Sequence, residues 1–192
     1  MRTITRILAG LALALTCGFA AASPKDELHA AFGKFLMVHS FRAVATDVKN
    51  GETVSSIEFV APDRYRMKAT DGTASIIVGD TMYIDMGGKL TPLPVPGVGK
   101  KVAQYRNEDF LREIEGGMDV QALPDESVDG EAARVYAYTL SKPIKSNAKC
   151  WVSQKSGMPM QIESTATFMG HTSTTRLRYS NFDDPSITID AP

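Results

Sequence analysis

Tyr65-Arg66-Met67-Lys68, Asp71-Gly72, Gly79-Asp80, Met82-Tyr83-Ile84-Asp85-Met86 and Gly87-Gly88 follow one another along residues 65–88 and decide the fold. Apolar and polar side chains alternate within each run, which is the pattern of a strand with one dry and one wet face. The dipeptides between the runs are those that tight hairpin turns require. Outward from this stretch the same grammar continues. Asn50-Gly51 follows an alternating run that begins at Phe41, Ile57-Glu58-Phe59 alternates again, and Asp129-Gly130 and Ser156-Gly157 punctuate the second half. There the strands resume through Val135–Leu140, Ala148–Gln154, Met160–Phe168 and Thr172–Phe182. This gives about ten or eleven strands, near the number at which an open twisted sheet curls. The expected fold is mainly β, an α+β arrangement built on a half-open, strongly curved antiparallel barrel.

Two segments depart from that period. Ser23-Pro24-Lys25-Asp26-Glu27 carries a helix cap, a first-turn proline and acids suited to the helix dipole. Leu28, Ala31, Phe32, Phe35 and Leu36 then form one apolar stripe, so an N-terminal amphipathic helix must lie on the sheet. Between Thr91 and Met118, Pro92, Pro94 and Pro96 read as a loop that leaves the sheet. Asn107-Glu108-Asp109 then opens a short helix with Phe110, Leu111 and Ile114 on one face, ended by Gly116-Gly117. It is too short to persist alone and must dock as a lid. Both helices are expected to cover the concave face of the sheet.

The ends and the composition set the frame. Arg2 and Arg6 precede an acid-free apolar run from Ile7 to about Phe19, followed by Ala20-Ala21-Ala22, which reads as a signal peptide over residues 1–22 cleaved after Ala22. A periplasmic protein is expected, with one domain over residues 23–192. Lipid anchoring at Cys17 is the lesser alternative, because Ala14-Leu15-Thr16 is a poor approach to an acylated cysteine. The formal charge of −1 moves to −3 when Arg2 and Arg6 leave. Neither value provides the basic surplus that nucleic acid needs. The remaining thiol, Cys150, suits a small buried filler.

Chemistry-bearing sets are sparse. His29, His39 and His171 form no metal-binding pair by spacing, and no G-x-S-x-G elbow occurs. Gly97-Val98-Gly99-Lys100-Lys101 imitates a phosphate loop only in part and reads as a flexible turn, and Asp183-Asp184 before Pro185 reads as a turn. The expectation is a protein that is not an enzyme, with no catalytic residues, no metal and no cofactor. Methionine is the unusual residue, with nine in the chain. Its flexible, polarizable side chain fills cores and also lines surfaces that accept apolar partners of varied shape. On a sheet that curls without closing, such residues imply an apolar groove with movable covers.

Four motifs carry a resemblance to a known family. They are Glu58-Phe59-Val60-Ala61-Pro62-Asp63-Arg64-Tyr65-Arg66-Met67, Ile76-Ile77-Val78-Gly79-Asp80-Thr81-Met82-Tyr83, and Trp151-Val152-Ser153 with Gly157-Met158-Pro159-Met160-Gln161. The fourth runs from Tyr179-Ser180-Asn181-Phe182 to Ile187-Thr188-Ile189-Asp190-Ala191-Pro192. In this order they resemble the LolA-like superfamily of periplasmic lipoprotein carriers and lipid-binding proteins. The resemblance implies helices plugging a half-barrel and a hydrophobic cavity for acyl chains. The partners it implies are an acyl lipid or lipoprotein cargo and a transient membrane or membrane-protein contact. Combined with the periodicity, it gives Phe32, Phe35, Leu36, Phe110 and Ile114 as plugs that exchange with acyl chains. The wall they face comprises Met67, Met82 and Ile84 on the earlier strands and Tyr138, Trp151, Met160 and Leu177 on the later ones. Each wall residue also suits ordinary core. Lys100, Lys101 and Arg106 are candidates for an anionic head group, or a solvated charge cluster. The alternative reading is a periplasmic sensor or protein-interaction module of the same fold.

Overall fold

The computed structural model describes residues 22–104, 106–141 and 145–192, and within them the side chains of Phe110, Ile114 and Phe168 are not described. Residues 1–21, with most of the expected signal peptide and Cys17, lie outside the described residues. Helix α1 spans Pro24–Leu36 and starts as its sequence dictates. The Asp26 amide donates to Ser23 Oγ and the Ser23 amide donates back to Asp26 Oδ2, forming a capping box.

Strands β1 (Ser40–Asp47), β2 (Thr53–Val60), β3 (Arg64–Ala69), β4 (Ala74–Val78), β5 (Thr81–Asp85) and β6 (Leu90–Pro94) follow. Two short helices, α2 (Val98–Gln104) and α3 (Glu108–Glu115), separate them from β7 (Val120–Val128) and β8 (Glu131–Leu140). Strands β9 (Ser146–Ser153), β10 (Pro159–Phe168) and β11 (His171–Ser180) complete the chain. Among the described residues the strands form one antiparallel sheet in the order β6-β5-β4-β3-β2-β1-β11-β10-β9-β8-β7. The first and last strands therefore pair at the centre, with Ala43 opposite Tyr179 and Ala45 opposite Leu177. The two edge strands, β6 and β7, are consecutive in the chain, and among the described residues they do not pair. The sheet is open, and the α2–α3 connection joins its free edges.

Two expectations are corrected here. Pro92 and Pro94 do not leave the sheet: they sit in β6, opposite Tyr83 and Thr81. An edge strand tolerates them because its outer side has no neighbour to receive an N–H. Of the Gly97–Lys101 stretch, Gly97 stands in a turn at φ 79°, as read from the sequence, but Val98–Lys101 belong to α2. Gly99 sits so close to the β4–β5 turn that a Cβ there would lie 2.6 Å from the Gly79 carbonyl oxygen. Its amide also donates to Asp80 Oδ1 at 3.2 Å, which seats α2 on that turn.

The core divides by face. On the concave side, Leu28 and Ala31 of α1 pack on Tyr136, Tyr138, Ala148 and Cys150, and Val38, Phe41, Ala43 and Phe59 form a neighbouring cluster. On the opposite face Val128, Ala133, Val135 and Trp151 make a third cluster. The C-terminal segment is fastened by Arg64 and Arg66, which donate to the carbonyls of Ile189 and Thr188. Asp183 and Asp184 serve the turn reading, since Asp183 Oδ1 accepts the His39 amide and Asp184 Oδ1 that of Ser186.

Candidate functional site: two apolar grooves on the concave face

Register determines which side chains meet. Ile57 lies opposite Met67, Met67 opposite Ser75, Tyr65 opposite Ile77, and Ile77 opposite Met82. All of them stand on one face. With Val102 of α2 above, they line an apolar groove of about 320 Å³. A second groove, of about 220 Å³, lies under α1 and α3, where Phe32, Phe35, Leu36 and Leu111 face Tyr138, Leu140, Ile162 and Tyr179, with Met118 and Pro159 completing its lining.

An aromatic cluster with one cation in it stands beside both grooves. Phe35, Phe41, Phe59 and Tyr65 form a chain of rings with centroids about 5 Å apart. Phe35 lines the second groove and Tyr65 the first. The Arg106 guanidinium lies over this cluster, 4.2 Å from the Phe59 centroid and 5.1 Å from that of Phe35. Its Nη2 donates to the carbonyls of Phe35, Leu36 and Val38 at 2.8, 2.9 and 3.0 Å. These carbonyls lie at and just beyond the end of α1, where a cation is favoured by the helix dipole. Burial lowers the Arg106 pKa, opposed by the nearby Tyr65 and Tyr179 hydroxyls and Asp183. Burial likewise raises Tyr138 and Tyr179 well above the usual phenol value, so both present neutral rings to the groove.

The covers are held unequally. Glu27 near the start of α1 accepts from the Tyr136 hydroxyl at 2.5 Å and from Arg134 at 3.1 Å. Between α1 and α3 a single polar contact stands out, His29 Nδ1 to Glu115 Oε2 at 2.5 Å. Glu115 is only 7% exposed, and its Oε1 has no partner among the described residues. A buried carboxylate half satisfied at a helix C-terminus opposes the helix dipole and favours release to water.

The sequence-derived residues divide accordingly. Phe32, Phe35, Leu36 and Tyr138 line one groove and Met67 and Met82 the other. Ile84 shares the face of Met82 on β5, and Leu177 packs beside Phe35 and Tyr179. Trp151 and Met160 are corrected: both pack in the cluster on the opposite face, where Trp151 Nε1 donates to Glu126 at 2.8 Å. Period two sends Trp151 away from its neighbour Cys150, and an irregularity in pairing between Pro159 and Gln161 shifts the phase around Met160. Arg106 is corrected as well, being engaged with backbone and rings rather than free for a head group. Lys100 and Lys101 are exposed on α2. The side chains of Phe110 and Ile114 lie outside the described residues. Ile57, Tyr65, Ile77, Val102, Leu111, Met118, Leu140, Ile162 and Tyr179 were missed, although alternation marked several of them as apolar.

No protein-family description matches the chain, and no curated protein does. Solved structures do. The lipoprotein LppX of Mycobacterium tuberculosis is similar, with a TM-score of 0.65 and 13% identity over 87% of this chain and 98% of that one. LprF from Mycobacterium bovis gives 0.64 and 14%, covering 88% and 96%. MucB gives 0.51 and 15%, covering 89% of this chain and 62% of its own. At such identities the likeness is one of fold, and the open sheet described above is the fold shared with LppX and LprF.

Proposed function

We propose that this chain is an exported carrier, not an enzyme, with the LolA-like fold, and that it holds the acyl chains of a lipid or an acylated lipoprotein against its concave face in the periplasm. The observation that carries this reading is the pair of apolar grooves roofed by short helices. Burying an acyl chain of about 16 carbons gains on the order of 12 kcal/mol at about 0.8 kcal/mol per CH₂. Apolar lining alone is therefore enough to capture cargo. Volumes of about 220 and 320 Å³ fall at or below the small end of ligand sites, roughly 300–1,000 Å³. A long chain enters only if Phe32, Phe35 and the α3 cover withdraw. That exchange of protein side chains for cargo keeps uptake and release near balance.

Native mass spectrometry of gently purified protein tests the reading, with acyl species expected on the chain. Delipidated protein should bind a fluorescent fatty acid, and Phe32→Ala with Phe35→Ala should alter that uptake more than the unfolding midpoint. A protein that takes up no acyl probe but retains a specific polypeptide would be the interaction module instead.

A further inference from the structure

Among the described residues Met37, Met86 and Met169 serve neither groove nor core, and the last two stand at one end of the sheet. Met86 is 69% exposed beside the Gly87-Gly88 turn joining β5 to β6, and Met169 is 84% exposed in the turn joining β10 to β11. The register puts both turns at one rim, since Ile84 pairs with Ser75, Met67 with Ser75 and with Ile57, Ile57 with Ala43, and Asp47 with Thr175 in the first half of β11. The β1–β2 turn opens onto the same rim with Val48 exposed beside it. Met169 stands at φ 50°, the left-handed corner that turns reserve for Asn, Asp or Gly. A long apolar side chain there benefits neither the turn nor the packing. Met86 extends the face of Met82 and Ile84 beyond the groove to the rim, and Met67, at the groove's open flank, is 45% exposed.

We propose that this rim docks on a lipid surface, with Met86, Met169 and Val48 entering the head-group layer. At about 4.8 Å per strand, the three tips lie roughly 10 and 20 Å apart along the sheet. Protein partners gather their anchors into one desolvated cluster, whereas a fluid interface accepts apolar tips singly. The charges accord with this. Asp47, Asp71 and Asp85 turn their carboxylates onto the amides of Lys49, Thr73 and Gly88 within their own turns, and Glu52 accepts from Asn50. Lys49, Lys68, Lys89 and Lys145 are exposed at the same rim and can reach lipid phosphates. The inference rests on the sheet register and tip exposure, not on which cargo the grooves hold.

Flotation of the purified protein with phosphatidylcholine vesicles, with and without phosphatidylglycerol, tests it. The wild-type protein should float with both, and Met86→Ser with Met169→Ser should reduce flotation about tenfold or more. The same variant should take up fluorescent fatty acid unchanged in vesicle-free solution. A Met86→Trp variant should show a blue-shifted indole emission when vesicles are added. Absence of wild-type flotation, wild-type flotation by the double variant, loss of fatty-acid uptake along with flotation, or an indole emission at position 86 that vesicles leave unmoved would each overturn the proposal. Failure of the carrier reading is read separately, as absent fatty-acid uptake by the wild type.

Discussion

Arg106 shows how one side chain can be misread from sequence and still be central. A basic residue between two short helices suggests a surface charge, yet its guanidinium binds three backbone carbonyls and covers a row of rings. Hydrogen bonds from a charged donor contribute about 1.5–3 kcal/mol, so Arg106→Met should lower the unfolding free energy by about 2–3 kcal/mol in urea titrations. Arg106→Lys should not restore it, because an ammonium cannot span the carbonyls while lying flat on Phe59. Cys150 gives a second prediction at this scale. Burial pushes its thiol from 9.0 up to about 12, so the folded chain keeps a proton that the unfolded chain releases. The stabilisation is complete below the unfolded value and is lost as the pH rises from about 9 towards 12. Cys150→Ala should therefore show a shallower fall in urea midpoint between about pH 8 and about pH 10.5 than the wild type. Native protein should also resist thiol alkylation that unfolded protein undergoes.

Among the elements, the covers differ in how firmly they are held. Helix α1 is fixed by Arg106 at its end and by Glu27 near its start, and α2 by the close seat of Gly99, whereas α3 leans on His29 through a half-satisfied Glu115. His29→Ala leaves Glu115 buried without its partner and should speed amide exchange in α3 about tenfold or more, while β8 and β9 stay slow. Adding Glu115→Leu to that variant should restore slow exchange, because the uncompensated carboxylate is gone. These elements also mark how far the chain could be read unaided. Period two and the turn dipeptides made β1–β5 and β8–β11 visible, and the Ser23 cap and apolar stripe made α1 visible, since each signal is local. The β6 strand stayed hidden because Pro92 and Pro94 are forbidden in a ladder's interior but harmless at its edge. Trp151 and Met160 were assigned to the wrong face because facing depends on register and on the irregularity near Pro159, which no single strand reveals. Arg106 was legible as a charge but not as a clamp, because its acceptors lie on α1, far back along the chain.

At the level of the whole molecule, an open sheet whose edges β6 and β7 do not pair must cover its concave face with something, and α1, α2 and α3 do so over side chains that never fill it. Cargo larger than the grooves competes with those helices for the same apolar surface. A rigid pre-formed cavity would behave differently, since ligand there protects every wall against exchange. Loading delipidated protein with a long-chain fatty acid should therefore accelerate amide exchange in α3, whose polar hold is the weakest among the described residues, and leave α1 less affected because Arg106 ties its end. The sheet strands beneath should exchange as slowly as before or more slowly, and the unfolding midpoint should rise with free ligand as binding to the folded state requires. Hydrogen–deuterium exchange read by mass spectrometry separates the two cases. Uniform protection of helices and sheet would mean that cargo enters without displacing the covers, and the exchange mechanism would have to be abandoned even if lipid binds.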